Sequence, residues 1–135
     1  MSRMLVGVRV LDLSRHLPGP FCTQLLADLG AEVLKVEMPE TGDDTRASEM
    51  QIRGQGASFL MLNRGKKSMT LNLKAKIGPE IFRRLAGRSD VVVESFRPGV
   101  TKRLGIDYKR LKRDNPKLIY ASITGYGQDG PYAAR

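Results

Sequence analysis

Arg97 and Arg103 lie close together in "VVVESFRPGVTKRLGID" (Val91–Asp107), separated by a Pro98-Gly99 turn. Each guanidinium offers a planar fork of donors suited to phosphate or carboxylate oxygens. If the segment carrying Lys102 and Arg103 is a helix starting near Val100, its first amides point at the same place and favour an anion there. The competing reading is two solvated arginines. The three valines ahead of them read as a strand buried on both faces. The pattern therefore poses a chemical question: which anion waits at the end of a buried strand?

Other reactive side chains are sparse. His16 is the only histidine and Cys22 the only cysteine, so no metal cluster or Ser-His-Asp set can be assembled with any to spare. His16 follows a predicted strand and either lines a site or is an ordinary loop residue. Cys22 falls on the apolar face of the first predicted helix and reads as core, not nucleophile. Asp43 and Asp44 of "TGDDTR" read as a polar loop. Glu37 ends the second predicted strand, where a ribose-binding acid would sit. The first loop, however, offers Gly19 between two prolines in place of G-x-G-x-x-G, which disfavours a nicotinamide-dependent oxidoreductase. Glu37 then reads as a solvated or loop-pairing carboxylate. Gly65-Lys66-Lys67-Ser68 has the tail of a P-loop but precedes a strand. Gly125, Gly127 and Gly130 either let the backbone approach a ligand or simply form turns.

These residues hang on an alternating pattern of elements. Strands are predicted over Val8–Ser14, Glu32–Met38, Lys67–Leu73, "DVVVESF" and "KLIYASITGYG". A helix opening at Pro20 and stopping at Gly30 sets Phe21, Leu25, Leu26 and Leu29 on one face. A second begins at Pro79, buries Ile81, Phe82 and Leu85, and stops at Gly87. "ASFLMLNRG" allows one helical turn or more, and "YKRLKRDNP" a short basic helix. Between them, "PETGDDTRASEMQIRGQG" is a polar loop long enough to suggest function or mobility. Strands spaced by helices imply βαβ units, a parallel sheet and an α/β fold with helices on both faces. Ligands of such sheets bind beyond the carboxyl ends of the strands. "GPYAAR" follows the fifth strand without a covering helix, so the chain reads as the opening portion of something longer.

The 135 residues amount to about one domain. Lys and Arg total 23 against 14 acidic residues, a formal charge of +9, which points to nucleic acid, an acidic membrane surface or a polyphosphate ligand. The run Lys109, Arg110, Lys112, Arg113 and Lys117 could touch a nucleic-acid backbone or be a solvated helix face. No RNP-like motif, helix-turn-helix pattern or zinc-ligand spacing accompanies it, and aromatic residues are only 6% of the chain, which leaves little for base stacking. Nucleic acid is therefore the weaker expectation. No apolar run approaches the roughly 20 residues of a membrane span, and no signal peptide is read at the N-terminus, so no membrane partner is expected. A lone cysteine excludes an internal disulfide and suits a reducing, cytoplasmic setting.

Taken in order, "RVLDLSRHLPGPFCTQLLADLGAEVLKVE", "GDDTR", "NRGKKSMTLNLK", "DVVVESFRPGVTKRLGIDY" and "NPKLIYASITGYGQDGPYA" resemble successive blocks of the class III CoA-transferase family. That family includes formyl-CoA transferase, carnitine CoA-transferase and α-methylacyl-CoA racemase. The resemblance implies that residues 1–135 are the N-terminal segment of a Rossmann-like large domain, part of a larger fold in which two chains interlock as a homodimer. It implies coenzyme A or acyl-CoA as substrate, a carboxylic acid as acceptor, and no metal. Positions matching the family's CoA contacts are His16, Leu17, Met38, Leu71, Ser95, Phe96, Arg97, Val100 and Arg103. Some relatives carry Arg at the position of Met38, which keeps a soft apolar contact but not the cation–π component. Formyl-CoA transferase has glutamine where this chain has Leu17. Family transferases use an aspartate that forms an acyl-aspartyl anhydride, and racemases a His and an Asp. All of these lie downstream of the "GYGQDGPY" block, so no catalytic residue is assigned within these 135 and no turnover is expected from them alone.

Overall fold

A computed structural model describes residues 3–48 and 50–133. In chain order the strands are β1 (Arg9–Asp12), β2 (Glu32–Glu37), β3 (Gln51–Ile52), β4 (Gln55–Gly56), β5 (Lys67–Thr70), β6 (Val91–Glu94) and β7 (Ile119–Ser122). The helices are α1 (Pro18–Asp28), α2 (Ala57–Asn63), α3 (Gly78–Ala86), α4 (Val100–Leu104) and α5 (Tyr108–Asp114). Five strands form one parallel sheet in the order β5-β2-β1-β6-β7, and β3 and β4 form a separate hairpin. The expected α/β architecture is present, with the doubly wound strand order that reverses direction at β1 and β6.

The register explains why the strands are apolar throughout. Val10 pairs with Val33 and Val91, and Leu11 with Leu34 and Val92. Successive residues point to opposite faces. Val10, Val33 and Val93 join Ala31, with Leu26 and Ala27 of α1 packed against them. Leu11, Val36 and Val92 join Phe82 and Ala86 of α3, Ile106, and Leu111 of α5 on the other face. Helices therefore cover both sides. Phe82 is fully buried, which stabilises the fold by about 1.5–3 kcal/mol relative to leaving it in water. Ile81 and Leu85, expected beside it, are half-buried.

Three expectations need correction. The paired strands are shorter than the apolar runs. Residues beyond Asp12, Glu37, Thr70 and Glu94 leave the ladder to form the loops at the carboxyl edge. Secondly, α1 does not bury Phe21, Leu25 and Leu29, which are 49%, 46% and 41% exposed. The helix instead turns Gly19, Pro20, Thr23 and Gln24 inward, because the Thr23 hydroxyl donates to the buried carboxylate of Asp12 at 2.6 Å. Cys22 is correspondingly half-buried. Thirdly, the long polar segment after β2 is structured over its described residues. It holds a single 3-10 turn, Asp44–Ala47, and the β3–β4 hairpin, whose Arg53 and Gly54 both have positive φ (52° and 75°) as a tight two-residue turn demands. Glu49 of that segment lies outside the described residues.

Candidate functional site

Because the five strands are parallel, the loops that follow them gather on one edge of the sheet. At the reversal point the loops after β1 and β6 touch: the amide of Arg15 donates to Ser95 Oγ at 3.0 Å. Gly19 permits the return of the first loop onto α1, since a Cβ there would stand 2.1 Å from that of Ser14. Glu94, 2% exposed, accepts the Phe96 amide at 2.8 Å and bends the chain out of β6. It also helps burial push the nearby Tyr120 hydroxyl well above its ordinary pKa, so that phenol stays protonated.

Two clefts open on this edge. One, of about 320 Å³, is walled by Met38, Leu71, Phe96 and Val100, with Arg103 and Lys74 at its margin. The other, of about 350 Å³, lies between His16, Ser95 and Arg97 on one side and the Gly125–Gly127 turn on the other. Arg15 and Phe96 line both, so the clefts are neighbours across a shared wall. Eight of the nine expected contact residues thus line this pair of clefts. Leu17 does not; it precedes α1 as its N-cap and is 58% exposed. The helix expected near Val100 is α4, entered through Gly99, whose φ of 83° is a left-handed value that glycine adopts without strain. Arg97 and Arg103 are exposed, and among the described residues neither side chain is held by an ion pair or hydrogen bond. Their donors are available to an anion. His16 has the unusual φ of 64° for a non-glycine residue, a strained geometry of the kind that functional loops store.

Beneath the edge lies a charged network that pattern reading did not anticipate. Asp43, expected in a polar loop, is instead 1% exposed and pairs with the equally buried Lys35 at 2.8 Å. The Lys35 ammonium also donates to Ser14 O at 2.8 Å, so one cation ties the loops after β1 and β2 together. Glu37 is a loop-pairing carboxylate, as one reading had it, but a buried one. Its two oxygens accept from Arg46 Nη2 and Nε at 2.7 Å each, and one also accepts from Ser68 Oγ at 2.5 Å. Lys66, the residue of the P-loop-like tail, reaches Asp12 Oδ2 at 2.9 Å, which also accepts from the Thr23 hydroxyl, while Ser14 donates to Oδ1. Isolated buried charges are unfavourable; here each has an opposite charge in contact.

Glu37 and Asp43 titrate low. Burial alone would raise Glu37 and Asp43, but hydrogen bonds outweigh it, from Arg46, Ser68 and the Asp43 amide for Glu37, and from Lys35 and Thr45 for Asp43. Arg46 is correspondingly raised by its bond to Glu37. A carboxylate held below its unfolded pKa adds stability that is complete above the unfolded value and is lost as pH falls through the folded one. Melting temperature is therefore expected to be level near neutrality and to decline once pH drops below about 4.5. Glu37→Gln should melt lower at neutral pH and decline less steeply in acid. An unchanged acid slope in that variant would show that Glu37 does not carry the effect.

A family model described as CoA-transferase family III matches residues 5–135. The chain belongs to CoA-transferase family III. It is 48% identical over 127 residues to acetyl-CoA:oxalate CoA-transferase of Acetobacter aceti, covering 94% of this chain and 33% of that protein. To succinyl-CoA:glutarate CoA-transferase of Mus musculus it is 48% identical over 132 residues, covering 97% of this chain and 30% of that protein. A solved structure of a CAIB/BAIF family protein from Brucella suis superposes with a TM-score of 0.91 at 47% identity, over 96% of this chain and 35% of that one. The chain thus spans about a third of the length of the relatives it matches. For this family III chain, Arg15 is the rim residue that pattern reading missed. Its signal was its place beside His16 in the first loop, ahead of the helix and on the carboxyl edge of the sheet.

Proposed function

We propose that this chain forms the coenzyme A-binding part of an enzyme that moves CoA from one carboxylic acid to another. The observation that carries the reading is the pair of clefts joined at Arg15 and Phe96, the first walled by Met38, Leu71 and Val100 and both lined by arginines. Coenzyme A combines a flat adenine with a 3′-phosphate and a pyrophosphate. Met38, Leu71, Phe96 and Val100 offer the adenine its apolar walls, while Arg15, Arg97 and Arg103 meet the phosphates. His16 and Ser95 border the second cleft, along which the pantetheine arm would run past the glycine turn. Leu17 lies just outside and would contact the arm only at its edge. Chemistry on the thioester follows the family's covalent route: a carboxylate attacks the acyl carbon and expels CoA thiolate, leaving an acyl-aspartyl anhydride; the thiolate then attacks the aspartyl carbonyl, releasing the donor's carboxylate and giving an enzyme thioester, from which CoA passes to the acceptor acid by the same two exchanges in reverse. The attacking aspartate implied by the resemblance lies downstream of the "GYGQDGPY" block, so no residue described here is assigned that role. Relatives named as oxalate and glutarate CoA-transferases favour transfer over racemisation of a 2-methylacyl-CoA. We further propose a cytoplasmic homodimer; the exposed stripe Phe21, Leu25 and Leu29 supports an assembly that covers it.

The test is a calorimetric titration of the protein with CoA and, separately, with duplex DNA. Saturable CoA binding with only weak DNA binding that salt abolishes is the expected result. Salt-resistant DNA binding with no uptake of CoA would replace this reading with the nucleic-acid one.

A further inference from the structure

We propose that Asp44 is a built-in competitor for the anion site at the rim, and so sets how tightly the coenzyme's phosphates are held. The proposal rests on the reading that this rim receives CoA. Asp44 Oδ2 stands 3.2 Å from His16 Nε2 and 3.9 Å from Arg15 Nη1. These are two of the groups that line the second cleft, and Arg15 lines the first as well. A carboxylate therefore already contacts a guanidinium and an imidazole that a phosphate would use.

The placement is built into the fold. On one side Asp43 is locked by Lys35, and its amide donates to Glu37 Oε2 at 2.9 Å. On the other, Thr45 donates its amide and hydroxyl to Asp43 Oδ1 at 3.0 Å and 2.7 Å, and Arg46 is clamped to Glu37. These contacts anchor the backbone on both sides of Asp44. Of two adjacent aspartates, one is spent on the interior and the other, 53% exposed along its side chain, faces the rim. An arriving phosphate must share Arg15 with it and sit close to a like charge. At such separations one unit charge changes affinity by about fivefold in water and by more where the site is partly shielded.

The experiment compares calorimetric titrations of the unmodified protein, Asp44→Asn and Asp44→Ser with CoA and, in a second arm, with inorganic pyrophosphate. Both are measured from about 50 to about 250 mM salt, where screening changes appreciably. Removing the competitor should tighten both ligands by about five- to tenfold at the low end. It should also steepen the salt dependence, because an additional cation is freed for the ligand. Asp44→Ser serves if Asp44→Asn does not fold. Equal or weaker binding by the variants, with the unmodified protein binding CoA normally, overturns the proposal, leaving Asp44 as a support for Arg15. If the unmodified protein takes up neither CoA nor pyrophosphate, the reading of the rim fails and the proposal with it.

Discussion

Lys66→Met is expected to destabilise the protein by about 3–5 kcal/mol, the penalty for leaving one member of a buried ion pair uncompensated. The Lys66 side chain is 1% exposed and that of Asp12 is 0% exposed. The ammonium donates to Asp12 Oδ2, Pro20 O, Thr23 Oγ1 and Asn63 Oδ1 at 2.7–2.9 Å. Methionine fills much of the same volume but leaves the Asp12 carboxylate with only neutral donors, from Ser14 and Thr23. Burial lowers the Lys66 pKa, Asp12 opposes that, and Lys35 adds to it. Each of the two neighbouring cations has its own carboxylate in contact, Asp12 for Lys66 and Asp43 for Lys35. The double variant Asp12→Leu/Lys66→Met should lose far less than the sum of the two single changes, since no orphaned charge remains. Urea unfolding of the four proteins measures this directly. A single-variant loss under about 1 kcal/mol, or strict additivity, would show that the pair is not the interior's electrostatic keystone.

That network marks the boundary of what patterning could reveal. The strands were legible because apolar runs alternate with helical ones, and Val91–Val93 are apolar on both faces, the mark of a covered parallel sheet. The clefts were legible as well, since the carboxyl edge of such a sheet follows from topology alone and Arg97 and Arg103 bracket a turn there. What periodicity could not supply was the state of the charged residues. Lys35 lies in β2 on the same face as Val33, and it is 1% exposed because Asp43 arrives from a loop eight residues later. The apolar stripe of α1 misled for the same reason. Amphipathicity says that one face is buried, but the face turned inward was chosen by Thr23 meeting Asp12, a long-range polar contact without local signal. Arg15 was missed because a single basic residue next to a more conspicuous histidine carries no pattern of its own.

Arg103→Ala is expected to abolish the preference of this protein for CoA over dephospho-CoA. Each arginine borders a different cleft. Arg103 shares its cleft with Met38, Leu71 and Val100, apolar walls suited to an adenine, and the 3′-phosphate sits on the ribose attached to that base. Arg97 borders the other cleft, with His16 and the glycine turn, where the pyrophosphate would enter. A hydrogen bond to a charged group contributes about 1.5–3 kcal/mol, so the unmodified protein should bind CoA about 10- to 100-fold more tightly than dephospho-CoA. In Arg103→Ala the affinity for CoA should fall to that for dephospho-CoA, with the latter nearly unchanged. Arg97→Ala should weaken both ligands by a similar factor and preserve their ratio, because both keep the pyrophosphate. Both arginines are exposed and unpaired among the described residues, so neither change should disturb the fold. The two patterns are mutually exclusive, and titrations with the two ligands separate them. If Arg97→Ala removes the preference and Arg103→Ala does not, the coenzyme lies in the reverse sense along the rim. If the unmodified protein already binds both ligands equally, neither guanidinium reads the 3′-phosphate.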